Sequence, residues 1–147
     1  MSTKISINNV DIITLDDDAT IHRNSTLTIE DGIIVQIGHS SSDFKVDEAV
    51  DGDGKVAMPG LVNAHCHSPM NMVRGWAEDL PFVDWLESIW VPESGLTPDD
   101  VYWGASLAAA EMIRSGTVAY NDKYFYMDRV ADVVQKSGLR AALTWSV

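Results

Sequence analysis

Two histidines separated by one residue, His65 and His67, stand in the stretch MPGLVNAHCHSPMNMVRG, residues 58 to 75. Only four histidines occur in 147 residues, and this pair closes a short apolar run. In an extended strand alternate side chains share a face, so Leu61, Asn63, His65 and His67 are expected to point one way and Val62, Ala64 and Cys66 the other. Two neutral imidazoles on one face can both reach one divalent ion at about 2.0 to 2.1 Å, and imidazole suits zinc, iron, copper or nickel. A catalytic zinc takes at least three protein ligands and a water, so the pair is half of a site. His22 and His39 lie in a strand-rich region without carboxylates patterned around them and are not expected as ligands. On spacing alone the pair serves equally well as a strand end whose rings hydrogen-bond nearby backbone, because H-x-H is a short pattern.

The elements around the pair change character at Pro59. Before it, KISINNVDIITL and STLTIEDGIIVQIG are rich in β-branched residues, and Asp31-Gly32 supplies the positive φ angles of a tight hairpin. A small antiparallel sheet over residues 1–58 follows, with a polar loop HSSSDFKVDE and a further turn at Asp51-Gly52-Asp53-Gly54. After Pro59, GLVNAH reads as a buried strand. LPFVDWLESIW spaces Phe82, Trp85, Leu86, Ile89 and Trp90 by threes and fours, which predicts an amphipathic helix with Pro81 near its start and Pro92 after its end. LTPDDVYWGASLAAAEMIRSG predicts a second helix, with Thr97 as N-cap, Pro98 in the first turn, Asp99 and Asp100 at the positive end of the dipole, and Gly116 as the stop. TVAYND then reads as a strand, MDRVADVVQKSG as a helix and LRAALTWSV as a strand. That alternation is the mark of βαβ units and a parallel sheet over residues 59–147. In a (β/α)8 barrel the histidine pair would lie at the C-terminal end of its strand, where such barrels build their active sites.

Composition narrows the classes. Hydrophobic residues at 46% and charged residues at 22% are the balance of a packed globular chain. A net charge of −12 repels phosphate backbones and anionic lipid surfaces, so neither nucleic acid nor membrane is an expected partner. One cysteine forms no internal disulfide, and MSTKISINNVDII has no signal-peptide core, which points to the cytoplasm. The same count excludes a cytidine-type zinc deaminase, which needs further cysteines, and no glycine-rich phosphate loop follows a strand.

Other residues take mostly structural readings. Trp85, Trp90 and Trp103 at helical spacing are expected in the core, whereas Trp76 follows the histidine loop and is the better pocket candidate. Asn121 and Asp122 end their strand and either face the site or make a turn. Arg74 meets an anion or pairs with Glu78 or Asp79, and Met70 and Met72 line or close the loop after the pair.

VAMPGLVNAHCH, preceded by IEDGIIVQIG and followed by MVRGWAEDLPFVDWL and AAAEMIRSGTVAYNDKYF, resembles the N-terminal third of the amidohydrolase superfamily, from about Ile5 onward. Its aminohydrolase branch, the 5-methylthioadenosine/S-adenosylhomocysteine deaminases and related chlorohydrolases, is the most similar. The resemblance implies an α/β protein: the N-terminal part of a metal-dependent (β/α)8 TIM barrel, here its first three strands, preceded by a small β-sandwich segment. It implies that His65 and His67 are the first two ligands of one divalent metal ion, zinc or iron, with zinc the main expectation. It also implies a small heterocyclic substrate, such as an adenosine derivative, whose amino group is hydrolysed away; guanine-type and triazine substrates are the alternatives. The branch carries a glutamate shortly after IWP that binds ribose hydroxyls. Here IWVPESG inserts Val91 and puts Glu93 directly after Pro92, so Glu93 is a substrate-binding candidate with shifted register.

The family's other metal ligands and its acid/base residues come from later strands, so the catalytic residues are expected beyond residue 147. The rival reading is an inactive fragment or a subunit that completes itself by self-association or with a partner. By itself this chain is expected to release no ammonia above a His65→Ala control and to hold metal weakly, which an ammonia assay with metal analysis checks.

Overall fold

The computed structural model of the chain describes residues 3–38 and 45–146. These fall into two compact units that divide between Pro59 and Gly60. In the first, strands β1 (Lys4–Ile13), β2 (Ile21–Glu30), β3 (Ile33–Gly38), β4 (Glu48–Asp51) and β5 (Val56–Ala57) form one sheet. The β2–β3 hairpin turns at Asp31 and Gly32 with φ of 51° and 79°, both in the left-handed region that a two-residue hairpin favours. Val10, Ile12 and Leu27 make its buried core, with Ile7, Ile29 and Ala57 against them. His22 sits in β2 opposite Ile12. His39 and much of the polar run after it lie outside the described residues.

The sheet is mixed, not purely antiparallel. β1 pairs antiparallel with β2, but β4 and β5 join its other edge in parallel. The reason is connectivity: β3 already runs in the direction of β1, so the chain that returns from it can enter beside β1 running the same way. The described residues supply one sheet of the expected sandwich, and Ile33 and Ile34 remain 66% and 55% exposed on it.

The second unit is a βαβ succession: β6 (Leu61–Cys66), a 3-10 helix (Ser68–Val73), α1 (Phe82–Glu93), α2 (Pro98–Arg114), β7 (Thr117–Tyr124), α3 (Met127–Ser137) and β8 (Arg140–Trp145). The three strands pair in parallel in the order β6–β7–β8. At the start of α2 the Asp100 backbone N–H donates to Thr97 Oγ1 at 3.3 Å, and the Thr97 N–H donates to Asp100 Oδ2 at 2.8 Å, a complete capping box. Gly116 and Gly138, at φ of 81° and 76°, follow α2 and α3 in the left-handed conformation that ends a helix. Val101, Ala105 and Ala109 of α2 and Met127, Val130 and Val133 of α3 bury against Tyr120 and Tyr124 of β7.

Three sequence expectations change here. Pro92 lies inside the last turn of α1 instead of after its end; a proline there removes one helical hydrogen bond at a point where the helix is ending anyway. Trp90 and Trp103 are not core residues, being 56% and 65% exposed, and Phe82 is 71% exposed. In α2 the packed face belongs to small residues: a Cβ at Gly104 would meet Pro69 O at 2.6 Å and Met72 Cγ at 2.9 Å, so the 3-10 helix rests on bare backbone there. Trp103 lies one helical step, about 100°, off that face. β7 also runs to Tyr124, which places Asn121 and Asp122 within the strand and not at its end.

Gly104→Ala forces the helix and the 3-10 segment apart and is expected to destabilise the chain by about 1 to 3 kcal/mol, read as a lower urea midpoint at an unchanged slope.

Candidate functional site

His65 belongs to β6, whereas His67 stands just beyond it as the residue that starts the 3-10 helix, at φ −131° and ψ 76°. Their rings lie 5.0 Å apart between centroids and nearly perpendicular, at 85°. Plain alternation does not produce this. Asn63 pairs with Tyr120 and Cys66 with Asp122, so three steps along β6 oppose two along β7. The additional residue is a β-bulge across Ala64 and His65, a device that re-aims side chains at the end of a strand. The expected shared face is thus reached by a bulge and an exit from the strand.

One ring is fixed further. His67 Nδ1 lies 2.5 Å from the backbone O of Lys123. A carbonyl only accepts, so Nδ1 is the donor, and in the neutral ring the lone pair lies on Nε2. A ligating histidine commonly has its other nitrogen held in this way, which sets both tautomer and ring direction. Among the described residues no group of three or more His, Cys, Asp and Glu side chains is placed to hold a metal ion. The pair therefore fits two positions of a coordination shell.

Both histidines line a cavity of about 620 Å³ with Met70, Phe82, Trp85, Leu86, Ile89, Trp90, Glu93, Lys123, Tyr124, Phe125 and Ser146. Glu93 sits on the last turn of α1, and its Oε1 accepts a hydrogen bond from the Tyr124 hydroxyl at 2.6 Å. Burial first, and then the Glu93 carboxylate, push the Tyr124 phenol well above its ordinary value, so it remains a donor. Trp76 is 60% exposed and is not among the residues that line this cavity. Trp85 and Trp90, which spacing assigned to the core, line it instead. The stripe on α1 has the helical spacing that the sequence predicts, but apart from the buried Ile89 it borders an opening.

Asp122 is fully buried. Its Oδ1 accepts the backbone N–H of Ser68 at 3.1 Å, and its Oδ2 accepts the Ser68 hydroxyl. Asn121 Nδ2 donates to Ala64 O at 3.2 Å. Arg74 pairs with neither Glu78 nor Asp79: its guanidinium forks onto Glu111 at 2.9 and 2.7 Å and also meets Asn71 Oδ1 at 2.6 Å. That partner, 37 residues away, left no local mark in the sequence. Cys66 packs against the core. Burial, and next the charge of Asp122, push its thiol up to about 12, so the sulfur is a protonated packing group at neutral pH.

The sequence pattern of the amidohydrolase family matches residues 56–147. This chain belongs to the amidohydrolase family. The 5-methylthioadenosine/S-adenosylhomocysteine deaminase of Halothermothrix orenii is 48% identical over 96% of the chain and 34% of its own length. Among solved structures, a triazine hydrolase from Arthrobacter aurescens superposes with a TM-score of 0.91 at 25% identity, covering 97% of this chain and 35% of that one. An adenosine deaminase from Xanthomonas campestris with bound zinc superposes with a TM-score of 0.87 at 34% identity, covering 95% and 33%. The chain spans about a third of the length of these relatives. Its fold is the N-terminal part of the family's (β/α)8 barrel with a β segment ahead of it, and β6, β7 and β8 are strands of that barrel. Among the described residues no helix is long and apolar enough to cross a membrane.

A thiol at about 12 is ionised at roughly one part in ten thousand at pH 8. Iodoacetamide at that pH is expected to label Cys66 far more slowly in the folded chain than in urea, as read by intact mass.

Proposed function

We propose that this chain builds the first half of the active site of a hydrolytic deaminase acting on adenosine derivatives altered at the 5′ position. The observation that carries the reading is the shared cavity, which has the His65–His67 pair and the Glu93 carboxylate on its wall. About 620 Å³ is within the range of pockets that enclose a ligand of nucleoside size.

In the overall reaction water adds at C6 of the purine, the bond from C6 to the exocyclic nitrogen breaks, and that nitrogen leaves as ammonia. A divalent ion, zinc by analogy with the Xanthomonas enzyme, supplies hydroxide at neutral pH when bound, by lowering the pKa of its water. His65 and His67 are the residues of this chain that would hold it. The Lys123 carbonyl keeps the hydrogen of His67 on Nδ1 and so keeps Nε2 available. Glu93, oriented by Tyr124, accepts hydrogen bonds from vicinal ribose hydroxyls. Trp85 and Trp90 offer flat apolar surface to the heterocycle and exclude water from it. The further ligands and the groups that move protons belong, on this reading, to the length by which the relatives exceed this chain.

Triazine and guanine substrates are the competing readings. Identity of 48% to a deaminase of adenosine derivatives, against 25% to the triazine hydrolase, favours the former. The test uses the longer protein in which this chain is the N-terminal part, loaded with zinc and assayed for ammonia from 5′-methylthioadenosine and guanine and for product from a triazine. The adenosine derivative is expected to give the highest kcat/KM, and His65→Ala to remove activity together with stoichiometric zinc. Glu93→Gln is expected to raise KM by about 10- to 100-fold, the worth of a hydrogen bond to a charged group. Preference for guanine or the triazine overturns the substrate assignment.

A further inference from the structure

We infer that Asp122 is a positioning residue for the metal pair: one buried carboxylate clamps the chain around His67 and thereby sets how tightly the two histidines hold an ion. The inference rests on the metal reading of His65 and His67 given above.

His67 stands between two residues that face the same group. On one side Ser68 gives Asp122 both its backbone N–H, at 3.1 Å, and its hydroxyl. On the other side Cys66 is the cross-strand partner of Asp122 in the β6–β7 register. The next residue along β7, Lys123, takes the His67 ring through its carbonyl. Asp122 therefore fixes the backbone and Lys123 the side chain. The clamp sits where the chain needs one, because β6 carries a bulge just before it and the 3-10 helix starts just after it.

Filling space does not explain the carboxylate. A buried carboxyl group is costly unless its oxygens are hydrogen-bonded, and an apolar residue of similar size would fill the same volume at no such cost. Two acceptor oxygens, by contrast, compel both Ser68 donors to aim at one point. That fixes the direction in which the chain leaves β6, and with it the separation of the two imidazoles. A metal shell tolerates ligand errors of only a few tenths of an ångström, so looseness here is felt as lost affinity.

Removing an outer residue that orients a ligand typically weakens metal binding by about 10- to 100-fold. The experiment measures zinc affinity by chelator competition, and thermal midpoints of the metal-free form, for the longer protein as wild type, Asp122→Asn and Ser68→Ala. Asp122→Asn keeps size and one acceptor. It is expected to leave the metal-free midpoint within a few degrees of wild type while weakening zinc binding by about 10-fold or more. Ser68→Ala, which keeps the backbone donor, is expected to weaken it less, and the double variant less than the product of the two, because both changes break one contact. Wild-type zinc affinity in a folded Asp122→Asn protein overturns the inference and leaves the metal reading intact. If Asp122→Asn does not fold, wild-type affinity in Ser68→Ala overturns it in the same way. A wild-type protein that takes up no divalent ion overturns the metal reading itself and the inference with it.

Discussion

The site depends on the two-sidedness of β7. A strand sends successive side chains to opposite faces, and here Tyr120, Asp122 and Tyr124 are buried while Asn121 and Lys123 are exposed. The buried set is held by α2 and α3, whose small and branched residues close over the tyrosines. Three consecutive residues at the end of this strand then reach three different parts of the site. Asp122 meets Ser68, the carbonyl of Lys123 meets His67, and the hydroxyl of Tyr124 meets Glu93. A slip of one residue in register would reverse every one of these directions. Packing on one face of the sheet thus becomes geometry at its end.

The loop after the histidines is held from the other side by α2. Gly104 lets the backbone at Pro69 approach the helix more closely than any side chain would permit, and Arg74 ties the end of the same segment to Glu111. The ion pair is exposed and contributes little to stability, but its forked geometry fixes a direction. Small residues on α2 and a buried acid on β7 act on one short stretch of chain, Ser68 to Arg74. The histidines are positioned less by their own strand than by what grips the residues after them.

Much of this was legible wherever the signal is local. Asp31-Gly32, the Thr97 N-cap, Gly116 and Gly138 each mark a turn or a helix end through their own local preferences, and the structure has each where the sequence puts it. The histidine pair was legible because two ligand-type residues one apart are rare in so short a chain. What escaped depends on residues distant in sequence. The bulge at Ala64 and His65 is visible only against β7, the Glu111 partner of Arg74 lies on another element, and the burial of Asp122 follows from α2 and α3. Trp90 and Trp103 misled for a related reason: periodicity identifies a stripe, but only packing decides whether the stripe meets protein or open space.

Cys66 shows what the arrangement does for the choice of metal. A thiolate between two imidazoles would be a soft third donor, and soft donors draw copper(I) and other thiophilic ions away from a hydrolytic role. The strand turns this sulfur toward the core, where burial first and the charge of Asp122 second hold its proton on. The packing that turns this sulfur inward thereby favours the chemical hardness of the site, with imidazole nitrogen as the donor that the pair presents to an incoming ion.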